Sequence, residues 1–157
     1  MSAEVQVCEV CDALATDEPR VLVTPYWRVT LASDQGYLGR AFVSANRHVG
    51  SLSDLTPDEW TNLQQVISSY ESAIKSVFGA VLFNWGCLMN NAFKVADPAP
   101  HVHWHVRPRY DRPITVDGRT YTDPNFAHHY DSSYIDVQDR ATIEALTARI
   151  QDQINAD

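Results

Sequence analysis

Cysteine is scarce in this chain. Three residues in 157, an odd number, argue against a disulfide framework. Basic residues are outnumbered: 12 Lys and Arg face 20 Asp and Glu, for a formal net charge of −8. A nucleic-acid polymer is captured by a basic surface that displaces counterions, so no such partner is expected. A small phosphorylated ligand needs only local donors and stays open. No apolar run approaches the roughly 18 residues of a membrane span. The opening segment MSAEVQVCEVCDA lacks a basic region followed by an apolar stretch, so neither membrane anchor nor secretory leader is expected. Repeats, low-complexity tracts and linkers are missing too. The expectation is a cytoplasmic protein with one domain spanning 1–157.

What is present is globular: 45% of residues are hydrophobic and 20% charged, at a length able to bury a real core. RVLVTPYWRVTLA places two β-branched and aromatic runs around Pro25, and Ala41 to Ser44 makes another; all read as strands. TPDEWTNLQQVISSYESAIKSVFG reads as a long helix. Thr56 suits the N-cap, Pro57 the first turn, and Glu59 completes a capping box. Trp60, Leu63, Ile67, Tyr70, Ile74 and Val77 form its apolar stripe, and Gly79 ends it. The segment 80–89, AVLFNWGCLM, reads as a buried strand with Cys87 as a small core residue. From Asp111 to Tyr134 the chain looks like an ordered excursion without regular structure. A closing helix carries Ile143, Leu146 and Ile150. Strands first, one long helix, more strands and a last helix indicate α+β with an antiparallel sheet.

Three of the six histidines fall in PHVHWHVRPRY. In a strand, His101, His103 and His105 share one face, while Val102, Trp104 and Val106 share the other. The apolar face belongs to the core; the imidazole face needs a use. Exposed strand faces favour Thr, Lys or Glu, so mere decoration is a poor account of three in alternation. One shared metal is also disfavoured, because the outer pair lies about 13 Å apart by strand rise. Nucleophilic catalysis remains: a neutral imidazole attacks phosphorus with one nitrogen while the other donates its proton to a fixed acceptor. A further imidazole protonates the leaving group or donates to phosphate oxygens. His103, with a neighbour on each side, is the natural nucleophile.

HVHWHVRP resembles the signature of the histidine triad (HIT) family, in which histidines alternate with apolar residues. The likeness runs over residues 8–110, through GRAFV, NRH, the long helix, NWGCLMNN and PRY. The resemblance implies an α+β HIT-like antiparallel meander with a long central helix and a C-terminal helix, its core at 8–110 and an excursion plus helix at 111–157. It also implies a homodimer and cleavage of a nucleoside phosphate at the α-phosphorus through a nucleotidyl-histidine. By the same resemblance His103 is the nucleophile, His105 contacts phosphate or leaving group, and His101 orients its neighbour or binds metal. Asn90 and Asn91 fall where relatives place an amide near the phosphates, though ordinary turn residues fit as well. Arg109 either adds positive charge beside the anion or ends the strand in solvent. Two departures stand out. Arg107 occupies the last apolar position of the signature, as if the strand emerged into solvent there. Ala32 holds the register of a ribose-binding Asp or Asn, with Asp34 nearby but out of step.

Cys8 and Cys11 form a C-x-x-C, a spacing that lets two thiolates hold one zinc. A redox pair is the alternative, but no βαβ pattern surrounds it. The missing ligands have candidates in His48 and His101. Zinc-bearing HIT proteins and galactose-1-phosphate uridylyltransferases draw their ligands from these four places, so the resemblance implies a structural Zn²⁺ at Cys8, Cys11, His48 and His101. The chemistry itself needs no cofactor. His128 and His129 read as loop residues. The expected activity is a nucleotide hydrolase or transferase acting on a dinucleoside polyphosphate or a nucleoside phosphoramidate. A phosphorylase and a non-catalytic nucleotide sensor are the alternatives.

Overall fold

The computed structural model describes residues 8–157, so the reading of the opening segment falls partly outside the described residues. A short helix α1 (Glu9–Leu14) comes first, then strands β1 (Leu22–Val23), β2 (Trp27–Leu31) and β3 (Ala41–Ala45). The long helix α2 (Pro57–Phe78) leads to β4 (Leu82–Gly86) and β5 (His103–Arg109). A small hairpin, β6 (Ile114–Val116) and β7 (Arg119–Tyr121), precedes helix α3 (Arg140–Ala156). The five main strands form one antiparallel sheet in the order β1-β2-β3-β5-β4. The meander therefore contains one crossover: β4 follows β3 in the chain but pairs at the far edge, with α2 carrying the connection.

The start of α2 is built as its sequence requires. The Thr56 side chain accepts from Glu59 N–H while the Glu59 carboxylate accepts from Thr56 N–H at 2.7 Å, closing the capping box. Gly79 ends the helix in the left-handed region at φ 77°, where a side chain would be strained. The buried stripe is Leu63, Val66, Tyr70, Ala73, Ile74 and Phe78, so Trp60 lies off it and is 41% exposed. Inward residues of the sheet (Trp27, Val29, Leu31, Ala41, Val43, Ala45, Val102, Val106) meet this stripe and Ile143, Leu146 and Ile150 of α3. Trp27 is fully buried, and its indole N–H donates to the Glu59 carbonyl at 2.8 Å. Each such side chain contributes about 1.5–3 kcal/mol through burial.

Three expectations need correction. The strand at 80–89 is not buried: β4 is a sheet edge, with Val81 and Leu82 exposed. The excursion after Asp111 does contain regular structure, the β6–β7 hairpin. Its turn residues Asp117 and Gly118 both have positive φ, as a two-residue turn joining twisted strands requires. Arg107 does not emerge into solvent either; it sits in the middle of β5 and is 8% exposed. No helix among the described residues is long and apolar enough to cross a membrane.

Candidate active site and metal centre

With one face of the sheet committed to the core, the other collects the outward residues in rows fixed by the register. Arg28, Ser44 and His103 make the first row; Thr30, Phe42, His105 and Gly86 the next. Arg107 and Asn84 are paired one step further along. The regular strand begins at His103, with His101 just before it.

His101 therefore plays a different part from its two neighbours. Its ring is 2% exposed and engaged at both nitrogens. Nε2 lies 2.8 Å from the Ala45 carbonyl, a contact that places the ring proton there. Nδ1, left with its lone pair, lies 3.5 Å from Cys8 Sγ and 3.4 Å from Cys11 Sγ. The His101 side chain thus has no nitrogen to offer a substrate, and its surroundings suit the part of orienting its neighbour or binding metal. Its main chain does the orienting: His103 Nδ1 donates to the His101 carbonyl at 2.7 Å. Held so, His103 presents a bare Nε2.

The His105 ring packs against His103, centroids 5.0 Å apart, and edge-on against Phe42 at 5.1 Å. Its Nδ1 is buried and has no hydrogen-bond partner among the described residues, so a proton there would be unsatisfied and the ring proton belongs on Nε2. Burial pushes the His105 pKa down to about 4, with His103, Arg107 and Arg40 adding to the effect. At neutral pH this imidazole is an uncharged donor.

A cleft of about 710 Å³ opens over the pair, lined by His103, His105, Asn90 and Asn91. A second, of about 620 Å³, extends from the same two histidines across Phe42, Ser44, Thr30, Arg28 and Arg40. Asn90 and Asn91 are brought to the histidines by a turn that starts at Met89, itself left-handed at φ 52°.

The other two nucleotide-binding candidates, Arg109 and Asp34, are engaged in contacts within the protein. Arg109 is 1% exposed and all five of its N–H groups are taken, by both Asp123 oxygens, Asn84 Oδ1 and the carbonyls of Asn125 and His128. It fastens the C-terminal excursion to β5 and has no donor left for a phosphate. Asp34 is paired with Arg40 and accepts from the main-chain N–H groups of Gly36 and Asp136, each at 2.9 Å. That carboxylate ties the β2–β3 connection to the segment before α3. Ala32 does line the second cleft, so no carboxylate stands in the ribose register. Sequence reasoning missed Arg28, Arg40, Phe42 and Ser44. The signal was the same two-residue alternation that exposed the histidines, since inward Val and Ala partners fix these as outward positions.

The metal candidates do converge. One ligand atom each from Cys8, Cys11, His48 and His101 lies within 4.8 Å of every other. Cys11 Sγ stands 3.5 Å from His48 Nδ1. Zinc bonds of about 2.3 Å to sulfur and 2.0 Å to nitrogen, at a tetrahedral angle, put S and N roughly 3.5 Å apart. The three S···N distances of 3.4–3.5 Å match that geometry. The four residues can hold a metal ion, and with four protein ligands they close the site. Cys8 also caps α1, its Sγ accepting from Cys11 N–H at 3.3 Å.

The HIT domain family model matches residues 16–112. The chain belongs to the HIT domain family. It is 31% identical over 85 residues to the bis(5′-nucleosyl)-tetraphosphatase (asymmetrical) of Schizosaccharomyces pombe, a match covering 54% of this chain and 46% of that protein. The matched region thus spans about half the length of that curated relative. Among solved structures, a hypothetical histidine triad nucleotide-binding protein from Sulfolobus tokodaii superposes with a TM-score of 0.69 at 16% identity, covering 95% of this chain and 93% of the other. A Zn-bound histidine triad family protein from Mycobacterium smegmatis gives 0.60 at 18% identity, with 95% and 94% covered. A HIT family protein from Bacillus anthracis gives 0.55 at 25% identity over 67% and 74%. The α+β HIT fold is established by these likenesses.

Proposed function

We propose that this HIT protein is a nucleotide hydrolase or transferase that cleaves a nucleoside phosphate conjugate at its α-phosphorus. His103 Nε2 attacks phosphorus, and the bond from phosphorus to the leaving group breaks as a phosphorus–nitrogen bond forms. His105, uncharged, donates a hydrogen bond from Nε2 to the phosphate or the departing atom and keeps its proton, so the leaving group departs as an anion or takes its proton from solvent. Water then attacks the nucleotidyl-histidine, releasing a nucleoside monophosphate and restoring the imidazole. Phosphate in place of water makes the same site a phosphorylase. Asn90 and Asn91 carry side-chain N–H donors suited to the phosphate oxygens. The observation that carries this reading is the 2.7 Å bond from His103 Nδ1 to the His101 carbonyl, which leaves the attacking nitrogen free. The tetraphosphatase name of the Schizosaccharomyces pombe relative supports the substrate class.

Zinc is the ion proposed for the Cys8, Cys11, His48 and His101 cluster, and its part is structural. It would fasten α1 to the residue whose carbonyl holds His103, a supporting role typical of groups one shell from the chemistry. A homodimer is proposed through β4, which among the described residues is a sheet edge with Val81 and Leu82 exposed, a template for strand pairing with a second copy.

A panel of adenosine and guanosine phosphoramidates and dinucleoside tri- and tetraphosphates, followed by monophosphate release, tests the activity. Turnover of at least one conjugate, lost in His103→Ala with the fold intact, supports the reading; reversible binding without product makes the protein a sensor.

A further inference from the structure

We propose that Arg107 and the cleft beyond His105 form a subsite for an anionic leaving group, so that the preferred conjugate carries a polyphosphate, not an uncharged amine, beyond the scissile bond. The inference rests on the function proposed above and deepens it.

The starting point is a buried cation without an ion-pair partner among the described residues. Arg107 is 8% exposed, yet among the described residues its guanidinium makes no hydrogen bond and no ion pair. Its one close contact is the face of Tyr130, 4.0 Å from the ring centroid, which orients the group without neutralising it. Burial, first, and the nearby Arg40 disfavour its charge, and Tyr130, Asp34 and Tyr37 offset this only in part, leaving its pKa lowered. Arg109, two residues on, shows the ordinary solution, with every donor occupied. A guanidinium that is largely buried, open only in part to a cleft and without an ion pair is costly unless something else completes it.

The surroundings indicate what completes it. Arg107 lines a cleft of about 710 Å³ together with His105, Asn84, His128 and His129, and no carboxylate lines it. Gly86, across the ladder from His105, adds no side chain to obstruct the way. His105 also lines the cleft that holds His103 and the two asparagines, so it stands where the spaces meet.

Direction then assigns the occupant. His103, His105 and Arg107 follow one another on the same face at steps of about 6.7 Å. In displacement at phosphorus the leaving group departs opposite the attacking atom. With His103 attacking and His105 beside the departing oxygen, the next phosphates of a polyphosphate run toward Arg107. A planar guanidinium fork matches phosphate oxygens in pairs. An amine leaving group offers it nothing.

The test compares kcat/KM for diadenosine tetraphosphate and adenosine 5′-phosphoramidate in the wild type, Arg107→Leu and Arg107→Lys. Calorimetric binding of tripolyphosphate to the same proteins runs alongside. The selectivity ratio for tetraphosphate over phosphoramidate should fall about 10- to 100-fold in the Leu variant, the scale of a lost charged hydrogen bond. The Lys variant should recover part of it, and tripolyphosphate should bind the Leu variant at least about tenfold more weakly. An unchanged ratio, or unchanged tripolyphosphate affinity, overturns the subsite. If thermal melts show the Leu variant unfolded, Arg107→Gln and Arg107→Lys decide by the same two readouts. A wild type that cleaves neither conjugate defeats the proposed function, and tripolyphosphate binding then still decides the subsite.

Discussion

His103 donates its Nδ1 proton to the main-chain carbonyl of His101 at 2.7 Å, while the His101 ring faces two thiols with its own Nδ1. One residue thus joins the metal cluster to the reacting imidazole, through its side chain on one side and its backbone on the other.

Metal removal should be felt at both ends of that link. Zinc analysis should find about one ion per chain, and Cys11→Ser or chelation should lower both the melting temperature and turnover. Burial, with Cys8 alongside, pushes the Cys11 thiol up to about 11. A proton must therefore leave before the thiolate binds, so zinc affinity should rise from pH 6 to pH 8 and binding should release protons. Calorimetry in buffers of different ionisation enthalpy checks this; affinity flat with pH would contradict it.

His105 should stay neutral far into acid. Its folded value of about 4 lies below the ordinary 6.5, so the folded state binds fewer protons than the unfolded one. Its contribution is intact above about 6.5 and is lost progressively as pH falls toward 4, by at most about 3 kcal/mol. Titration of the His105 ring by NMR should find its midpoint near 4, not near 6.5.

A second acid-labile contact lies at the start of α2. The Arg47 guanidinium beside Glu59, at 2.6 Å, draws the carboxyl down to about 2 from an ordinary 4.5. This stabilisation is complete above about 4.5 and fades as pH falls toward 2. Glu59 is 3% exposed but Arg47 is 48% exposed, so solvent weakens the pair. Arg47→Ala should lower the denaturant midpoint at pH 7 and leave it almost unchanged at pH 2.

The Arg109–Asp123 pair is buried on both sides, each side chain 1% exposed. Asp123→Asn should destabilise by about 3–5 kcal/mol, because it leaves a buried guanidinium short of its anion. For a chain of this size that lowers the melting temperature by roughly 6–20 °C. A shift under about 2 °C would show that the excursion is held by other contacts.

The parts legible in the sequence are those written in spacing. Alternation marked His103 and His105 as neighbours on one face, since a strand's period of two needs no knowledge of the fold. The capping box at Thr56 and Glu59 and the stop at Gly79 are local for the same reason. Resemblance brought Cys8, Cys11, His48 and His101 together, and the structure brings their ligand atoms within 4.8 Å. What escaped depends on partners far along the chain. Arg109 read as a free cation because Asp123 and the carbonyls that saturate it lie in an irregular segment. Asp34, out of step with the ribose register, still stood as a nucleotide-binding candidate because its contacts with Asp136 and Arg40 follow from tertiary closure. Arg107 read as a strand end because Tyr130, which covers it, comes from the same excursion. Helix α1 was missed because six residues carry too little periodicity. The Asp117–Gly118 turn had a signal, a D-G pair between the short runs ITV and RTY, that went unused.

The central claim is that His103 becomes covalently nucleotidylated. Wild type and His103→Ala should each be mixed briefly with α-labelled diadenosine tetraphosphate, quenched, and mapped by peptide mass spectrometry. The account predicts an adenylyl group on His103 in the wild type and no adduct in the variant. Full turnover with no adduct, or with the label on a different residue, would contradict it.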